Sequence, residues 1–237
     1  MKAALGFDAD PGMLPVSKIK LLIIVGLTGV GKTSFTQELG WPLLPNRRRL
    51  VDDYILPQLG ADPTSLDRGE RFELTARWRR GHPGGLAEAL AAAYVKPVWP
   101  LVFDGLRGEA EVAFARSHFP EARFVVLEAP LRVRLERLLG RADTFDRTRI
   151  NSSGKERLRQ LAAGMLSENE IGELLAVYPA PDLAEKLQIL ATEQQNYHPD
   201  GPRRALAGCH RALFINTTKV APAAAAQRVR EWLGEEV

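Results

Sequence analysis

Apolar and polar positions divide the chain into short, wholly apolar runs and longer amphipathic ones. The first run, Leu21-Leu22-Ile23-Ile24-Val25, is too short for a helix and rich in β-branched residues, so it reads as a buried strand. Phe35 and Leu39 share one face of a helix from Lys32 to Leu39, ended by Gly40-Trp41-Pro42. Residues 46–54, closing on Asp52 and Asp53, read as a short second strand, and residues 54–95 as mostly helical with a break at Gly81-His82-Pro83-Gly84-Gly85. A third strand starts at Leu101, since Pro100 suits no central strand, and ends at Asp104-Gly105. A short helix over Glu109–His118, a fourth strand over 123–128 and an amphipathic helix marked by Leu131, Leu135, Leu138 and Leu139 follow. Residues 142–207 are less regular, with capping-box patterns at Ser153…Glu156 and Ser167…Glu170, and read as a helical insertion. Ala212–Asn216 is a fifth strand, and Pro222 opens a last helix through Leu233.

Strands alternating with helices predict an α/β fold with a five-stranded parallel sheet flanked by helices and a helical lid insertion. The expected organisation is a loose tail over 1–17, a core over 18–141 that includes acceptor-side helices at about 54–95, the lid over 142–207, and a closing strand and helix over 208–237.

Chemistry enters where the first strand ends. Gly26-Leu27-Thr28-Gly29-Val30-Gly31-Lys32-Thr33 is G-x-x-x-x-G-K-T in full, the Walker A phosphate-binding loop, in the strand–loop–helix setting its mechanism needs. Glycines permit positive φ and a close approach of backbone to phosphate. The freed amides and the helix start form an anion site. The expected nucleotide contacts are Gly26, Thr28, Gly29, Val30, Gly31, Lys32, Thr33 and Ser34. Lys32 reaches the β- and γ-phosphates and Thr33 ligates Mg2+. The fold expected is therefore that of a P-loop NTPase.

Composition adds bounds. A net charge of +3 and a pI near 9.1 suit phosphate-bearing ligands and are too mild to argue for nucleic acid. Cys209 is the only cysteine, so no intrachain disulfide forms. No apolar stretch nears the ~18 residues of a membrane span. The start of the chain, interrupted by Asp8 and Asp10, is not a signal peptide, and a cytoplasmic location is expected.

Three kinds of P-loop chemistry compete: a kinase, a hydrolysing ATPase or GTPase, and a nucleic-acid-acting module. The Asn-Lys-x-Asp segment that reads guanine is absent. A hydrolase commonly carries Glu after the acidic strand end, whereas Asp104 is followed by Gly105. This favours transfer to a bound acceptor. Asp104, at the carboxyl edge of its strand, is the expected second Mg2+ ligand. One of Asp52 and Asp53 is expected to take the acceptor proton or organise Mg2+, with the choice between them open. Arg107 is the expected acceptor clamp, because a planar guanidinium grips phosphate or carboxylate as lysine does not.

The segment Leu101-Val102-Phe103-Asp104-Gly105-Leu106-Arg107 resembles the Asp-Gly-x-Arg or Asp-Gly-x-x-Arg segment of nucleoside monophosphate kinases and their relatives. With Glu109, Glu111-Val112 and Phe114 it is similar to dephospho-CoA-kinase-like proteins. Arg123-Phe124-Val125-Val126-Leu127-Glu128-Ala129-Pro130, the arginines from Arg132 to Arg141, and Arg77-Trp78-Arg79-Arg80 continue the likeness, which weakens after residue 150. The resemblance implies ATP and Mg2+ as cofactors, a small phosphate-bearing acceptor, and lid arginines among Arg137, Arg141, Arg147 and Arg149, of which Arg141 is preferred as catalytic. The alternative is a P-loop ATPase or nucleotide-dependent regulator without a small-molecule acceptor.

Overall fold

In a computed structural model the described residues are 5–140 and 154–234. The β3 strand, Leu21–Val25, is buried at all five positions and forms the centre of a parallel sheet. It lies between β5 (Val102–Leu106) and β6 (Ala122–Glu128), and β7 (Ala212–Asn216) extends the far side, giving the order β5-β3-β6-β7. The register pairs Leu21 with Ala122, Val25 with Val126, and Phe124 with Ala212.

The two faces of β3 feed two cores. Leu21, Ile23 and Val25 point into a cluster with Leu50, Leu86, Val112 and Phe119, whereas Leu22 and Ile24 pack with Phe35, Leu39, Val229 and Leu233. This alternation inside an unbroken apolar run is what a strand covered on both faces requires. One face is covered by α5 (Leu86–Ala91) and α6 (Glu109–His118); the other by α1 (Lys32–Leu39) and α12 (Pro222–Leu233).

The sheet has four strands, not the expected five. Residues 46–54 are helical: α2 (Arg47–Leu50), a π-helical turn over Val51–Ile55, and α3 (Leu56–Gln58). Asn46 caps the first turn by accepting from the Arg49 amide, and Arg48–Asp52 and Arg49–Asp53 are ion pairs one helical turn apart. The missing edge strand survives as one rung, in which the Leu44 amide donates to the Val102 carbonyl at 2.8 Å and the Val102 amide to the Pro42 carbonyl at 2.9 Å.

The expected loose tail is also corrected. β1 (Leu5–Gly6) and β2 (Leu14–Pro15) pair antiparallel with β4 (Tyr94–Val95), and Val16 is fully buried. The added pairing begins at Tyr94, where helix had been expected to continue.

After α4 (Arg68–Gly81) and α7 (Leu131–Leu139), the helices α8 (Gly154–Ala162), α9 (Glu168–Leu175) and α10 (Ala180–Asn196) form a third core. Leu135 and Leu138 of α7 meet Leu158, Leu174, Leu183 and Leu187 there. α10 is 17 residues long, about 25 Å at the usual rise, so it spans from this core to the edge of the sheet. The short α11 (Gly201–Ala205) leads back to β7. Among the described residues no helix is long and apolar enough to cross a membrane.

Candidate functional site

The loop after β3 has the conformation its glycines predict. Gly29 and Gly31 hold φ of 83° and 97°. Gly29 also needs its missing side chain, since a Cβ there would lie 2.7 Å from the Arg134 carbonyl of α7. The loop therefore rests directly on the α7 backbone. Lys32, the first residue of α1, turns back over it and donates to the carbonyls of Gly26 at 2.5 Å and Leu27 at 3.0 Å. Burial and the neighbouring Arg107 guanidinium bring the Lys32 ammonium down to about 7, against the opposing pull of Glu193 and Asp104.

Asp104 and Arg107 come to the loop from β5. The ladder between β3 and β5 pairs Ile23 with Phe103 and then Val25 with Leu106, so Asp104-Gly105 forms a bulge. Gly105 is dictated by space: a Cβ would meet the Phe103 ring at 2.3 Å. The Gly26 amide bonds the Leu106 carbonyl at 3.2 Å, which ties the loop to this strand end. Asp104 is half-buried there, and its charge acts on Lys32. Thr33 is exposed in the first turn of α1. A hydroxyl and a carboxylate are hard oxygen donors that fit Mg2+, which takes few protein ligands and completes its shell with water and phosphate oxygens. Among the described residues no group of three His, Cys, Asp or Glu side chains is placed to hold a metal ion.

One edge of the phosphate loop, at Thr28, is engaged by the protein itself. Glu193, near the end of α10, accepts from the Thr28 amide at 2.9 Å and from the Thr28 hydroxyl at 2.7 Å. The same carboxylate receives Arg107 Nη1 at 2.9 Å and Arg134 Nη2 at 2.5 Å. Burial pushes the Glu193 carboxyl up, but Arg107, Arg134 and the two Thr28 bonds outweigh it and hold it below the usual carboxylate range.

A second layer of arginines surrounds this centre. Tyr197, just past α10, accepts from Arg47 Nη2 at 2.6 Å and Arg79 Nη1 at 2.9 Å, and its ring lies 5.5 and 5.4 Å from the two guanidinium carbons. Gly108 makes room for that ring, because a Cβ would stand 2.6 Å from it. Arg47 also pairs with Glu111 at 2.9 Å. Burial raises the Glu111 carboxyl, and the Arg47 charge with the Arg107 and Leu86 amides brings it below the ordinary value. Arg79 is different: it donates to Tyr197 and to Asn196 Oδ1, both neutral, and its buried Nε has no partner among the described residues.

On the opposite side of the loop, Gly31, Ser34, Phe35, Arg137, Thr217 and Pro222 line a cavity of about 300 Å3. Arg137 spans it, donating to the Gly29 carbonyl at 3.3 Å and to Thr217 Oγ1 at 2.9 Å. A shallower hollow of about 450 Å3, between Arg203, Cys209 and Phe214, includes no loop residue.

The sequence-predicted residues thus divide. Lys32, Asp104 and Arg107 come together at the loop, with Arg79 close behind through Tyr197. Asp52 instead pairs with Arg71 and Arg48, and Asp53 with Arg49, on the helical turn that replaced the predicted strand. Arg141, Arg147 and Arg149 lie outside the described residues. Arg47, Arg134, Glu193 and Tyr197 were not anticipated as site residues.

Residues 22–159 match the sequence profile of the AAA domain, more than half of the chain. The chain belongs to the AAA-domain family. The matched span of this AAA-domain protein carries the phosphate loop, Asp104, Arg107 and Arg134, and the loop marks it as nucleotide-binding. A UPF0200 protein of Methanoregula boonei is 30% identical over 129 residues, which are 52% of this chain and 68% of that protein. Among solved structures, a shikimate kinase from Bacteroides thetaiotaomicron is similar with 16% identity and a TM-score of 0.40 over 90% of this chain and 98% of its own. A sugar kinase from a Janibacter species is similar with 14% identity and a TM-score of 0.39 over 91% and 94%.

Proposed function

We propose that this AAA-domain protein is a Mg-ATP-dependent kinase that transfers a phosphoryl group to a small acceptor, a nucleotide or similar phosphate-bearing metabolite. The observation that carries the reading is the convergence of Arg107 and Arg134, from separate elements, beside Lys32, with Arg47 and Arg79 behind them at Tyr197. Phosphoryl transfer needs charge placed around the moving group more than it needs covalent chemistry. Lys32 and the loop amides hold the donor phosphates, and Thr33 and Asp104 would hold Mg2+. The cavity beside Arg137, Thr217 and Pro222 is open to the nucleoside end. Arg107 and Arg134, bonded to Glu193 in the structure, would face the transferring phosphoryl group. Arg79, whose charge meets only neutral oxygens among the described residues, offers the acceptor an unneutralised guanidinium and an N–H that is buried there without a partner.

The ATPase reading needs a base for water. Gly105 follows Asp104, and Glu193, the carboxylate nearest the loop amides, is held ionised by two guanidiniums and so is a weak base. The test is γ-labelled ATP with Mg2+ and a panel of nucleosides, nucleotides and dephospho-CoA. Label is expected on one acceptor class, with ATP consumption rising when that acceptor is added. ATP consumption identical with and without every acceptor overturns the kinase reading.

A further inference from the structure

Glu193 is a buried carboxylate that the proposed chemistry does not use. Its side chain is 4% exposed, and its four hydrogen-bonding donor groups are the ones a terminal phosphate would need: the Thr28 amide, the Thr28 hydroxyl, Arg107 and Arg134. From this placement, which rests on the nucleotide-binding reading of the loop, we infer that Glu193 is an internal stand-in for a donor phosphate, and that a triphosphate binds by expelling it.

Charge supplies the reason for exchange. Glu193 brings one negative charge to the loop, and Lys32 meanwhile bonds carbonyls of its own loop and no carboxylate. A triphosphate tail brings several charges and engages the remaining loop amides together with the lysine. Both anions cannot share the Thr28 amide and two guanidiniums without strong repulsion.

The position of Glu193 gives the exchange a consequence. It is followed on the same stretch by Asn196 and Tyr197, which hold Arg79 and Arg47. Withdrawing the end of α10 to remove Glu193 also removes both of these acceptors. The inner pair of arginines then turns to the donor phosphate, and Arg79 loses both of its holders and becomes free for the acceptor, while Arg47 stays with Glu111. The acceptor site is therefore completed only after the donor has bound, and binding is ordered with nucleotide first. An empty enzyme keeps Arg107 and Arg134 neutralised by Glu193 and Arg79 held by Tyr197 and Asn196, and acceptor alone finds no open cluster.

The test is a titration with Mg2+ and the non-hydrolysable analogue adenosine 5′-(β,γ-imido)triphosphate, comparing wild type with Glu193→Gln. The substitution keeps the size and hydrogen-bonding ability of the side chain and removes its charge. The analogue is expected to bind Glu193→Gln about tenfold or more tightly than wild type, as removal of a competing closed state requires. Hydrogen exchange on the unmodified protein gives a second readout: amides of residues 192–198 are expected to lose protection when the analogue binds. Equal or weaker binding by Glu193→Gln, with unchanged protection of that segment, overturns the plug and leaves the loop assignment standing. If neither protein binds the analogue, the loop assignment fails and the plug fails with it.

Discussion

Lys32 carries the most consequential ionisation in the protein. Its ammonium is brought from the ordinary 10.5 to about 7 by burial and by Arg107. Between those two values the unfolded chain binds a proton that the folded protein does not, so this group makes the nucleotide-free protein more stable as pH rises from about 7 to 10.5 and less stable as it falls back through that window. A triphosphate beside the lysine reverses the shift. Binding of Mg-ATP at pH 8 is therefore expected to take up a proton, seen as a binding enthalpy that varies with the ionisation enthalpy of the buffer; buffer-independent enthalpy contradicts this. Arg107 and Arg79 have separable duties in the proposed reaction. Arg107→Lys keeps the charge but loses the planar fork, and is expected to lower kcat by about 10²- to 10³-fold. Arg79→Ala is expected to raise the acceptor KM with kcat little changed. Steady-state kinetics with each substrate varied in turn distinguishes the two effects.

The elements that hold these residues differ in how openly the sequence declares them. β3 and α1 were legible because an apolar run, spaced glycines and Lys32-Thr33 all demand one local structure. The bulge at Asp104-Gly105 was not predicted, although the Phe103 ring that fills the space at Gly105 lies only two residues away on the same strand. Gly105→Ala is expected to cost about 1–3 kcal/mol through overpacking, measured by chemical denaturation. Residues 46–54 were misread because three arginines, an apolar pair and two aspartates look like a strand reaching an edge. The helical spacing of Leu50, Val51 and Ile55 and the two ion pairs one turn apart carried the opposite signal. Arg134 and Glu193 left a similar trace. Arg134 falls on the stripe of Leu131, Leu135 and Leu138, and Glu193 on that of Ile189 and Leu190. A charge on an apolar stripe marks a buried partner, but the partner lies far away in sequence and cannot be read from it.

Across the molecule, three cores meet at the phosphate loop. Two lie on the faces of the sheet and fix the loop to β5 and α7; the third, built on α7 to α10, holds the helix that delivers Glu193. Weakening the third core tests whether that delivery depends on its packing. Leu187→Ala, at a fully buried position, is expected to cost about 2–5 kcal/mol where α10 packs and to expose residues 192–198 to hydrogen exchange before β3 and β6. The fold class followed from alternating strands and helices, whereas the meeting of Lys32, Arg107 and Arg134 with Glu193 depends on connections whose paths no local pattern encodes. All of the chemistry proposed rests on that loop gripping a triphosphate. The most direct measurement is a calorimetric titration of wild type and Lys32→Ala with Mg-ATP. Saturable one-site binding by the wild type, weakened about a hundredfold or more in Lys32→Ala, is the predicted result. Equal affinity in the two proteins, or no binding by the wild type, contradicts the account.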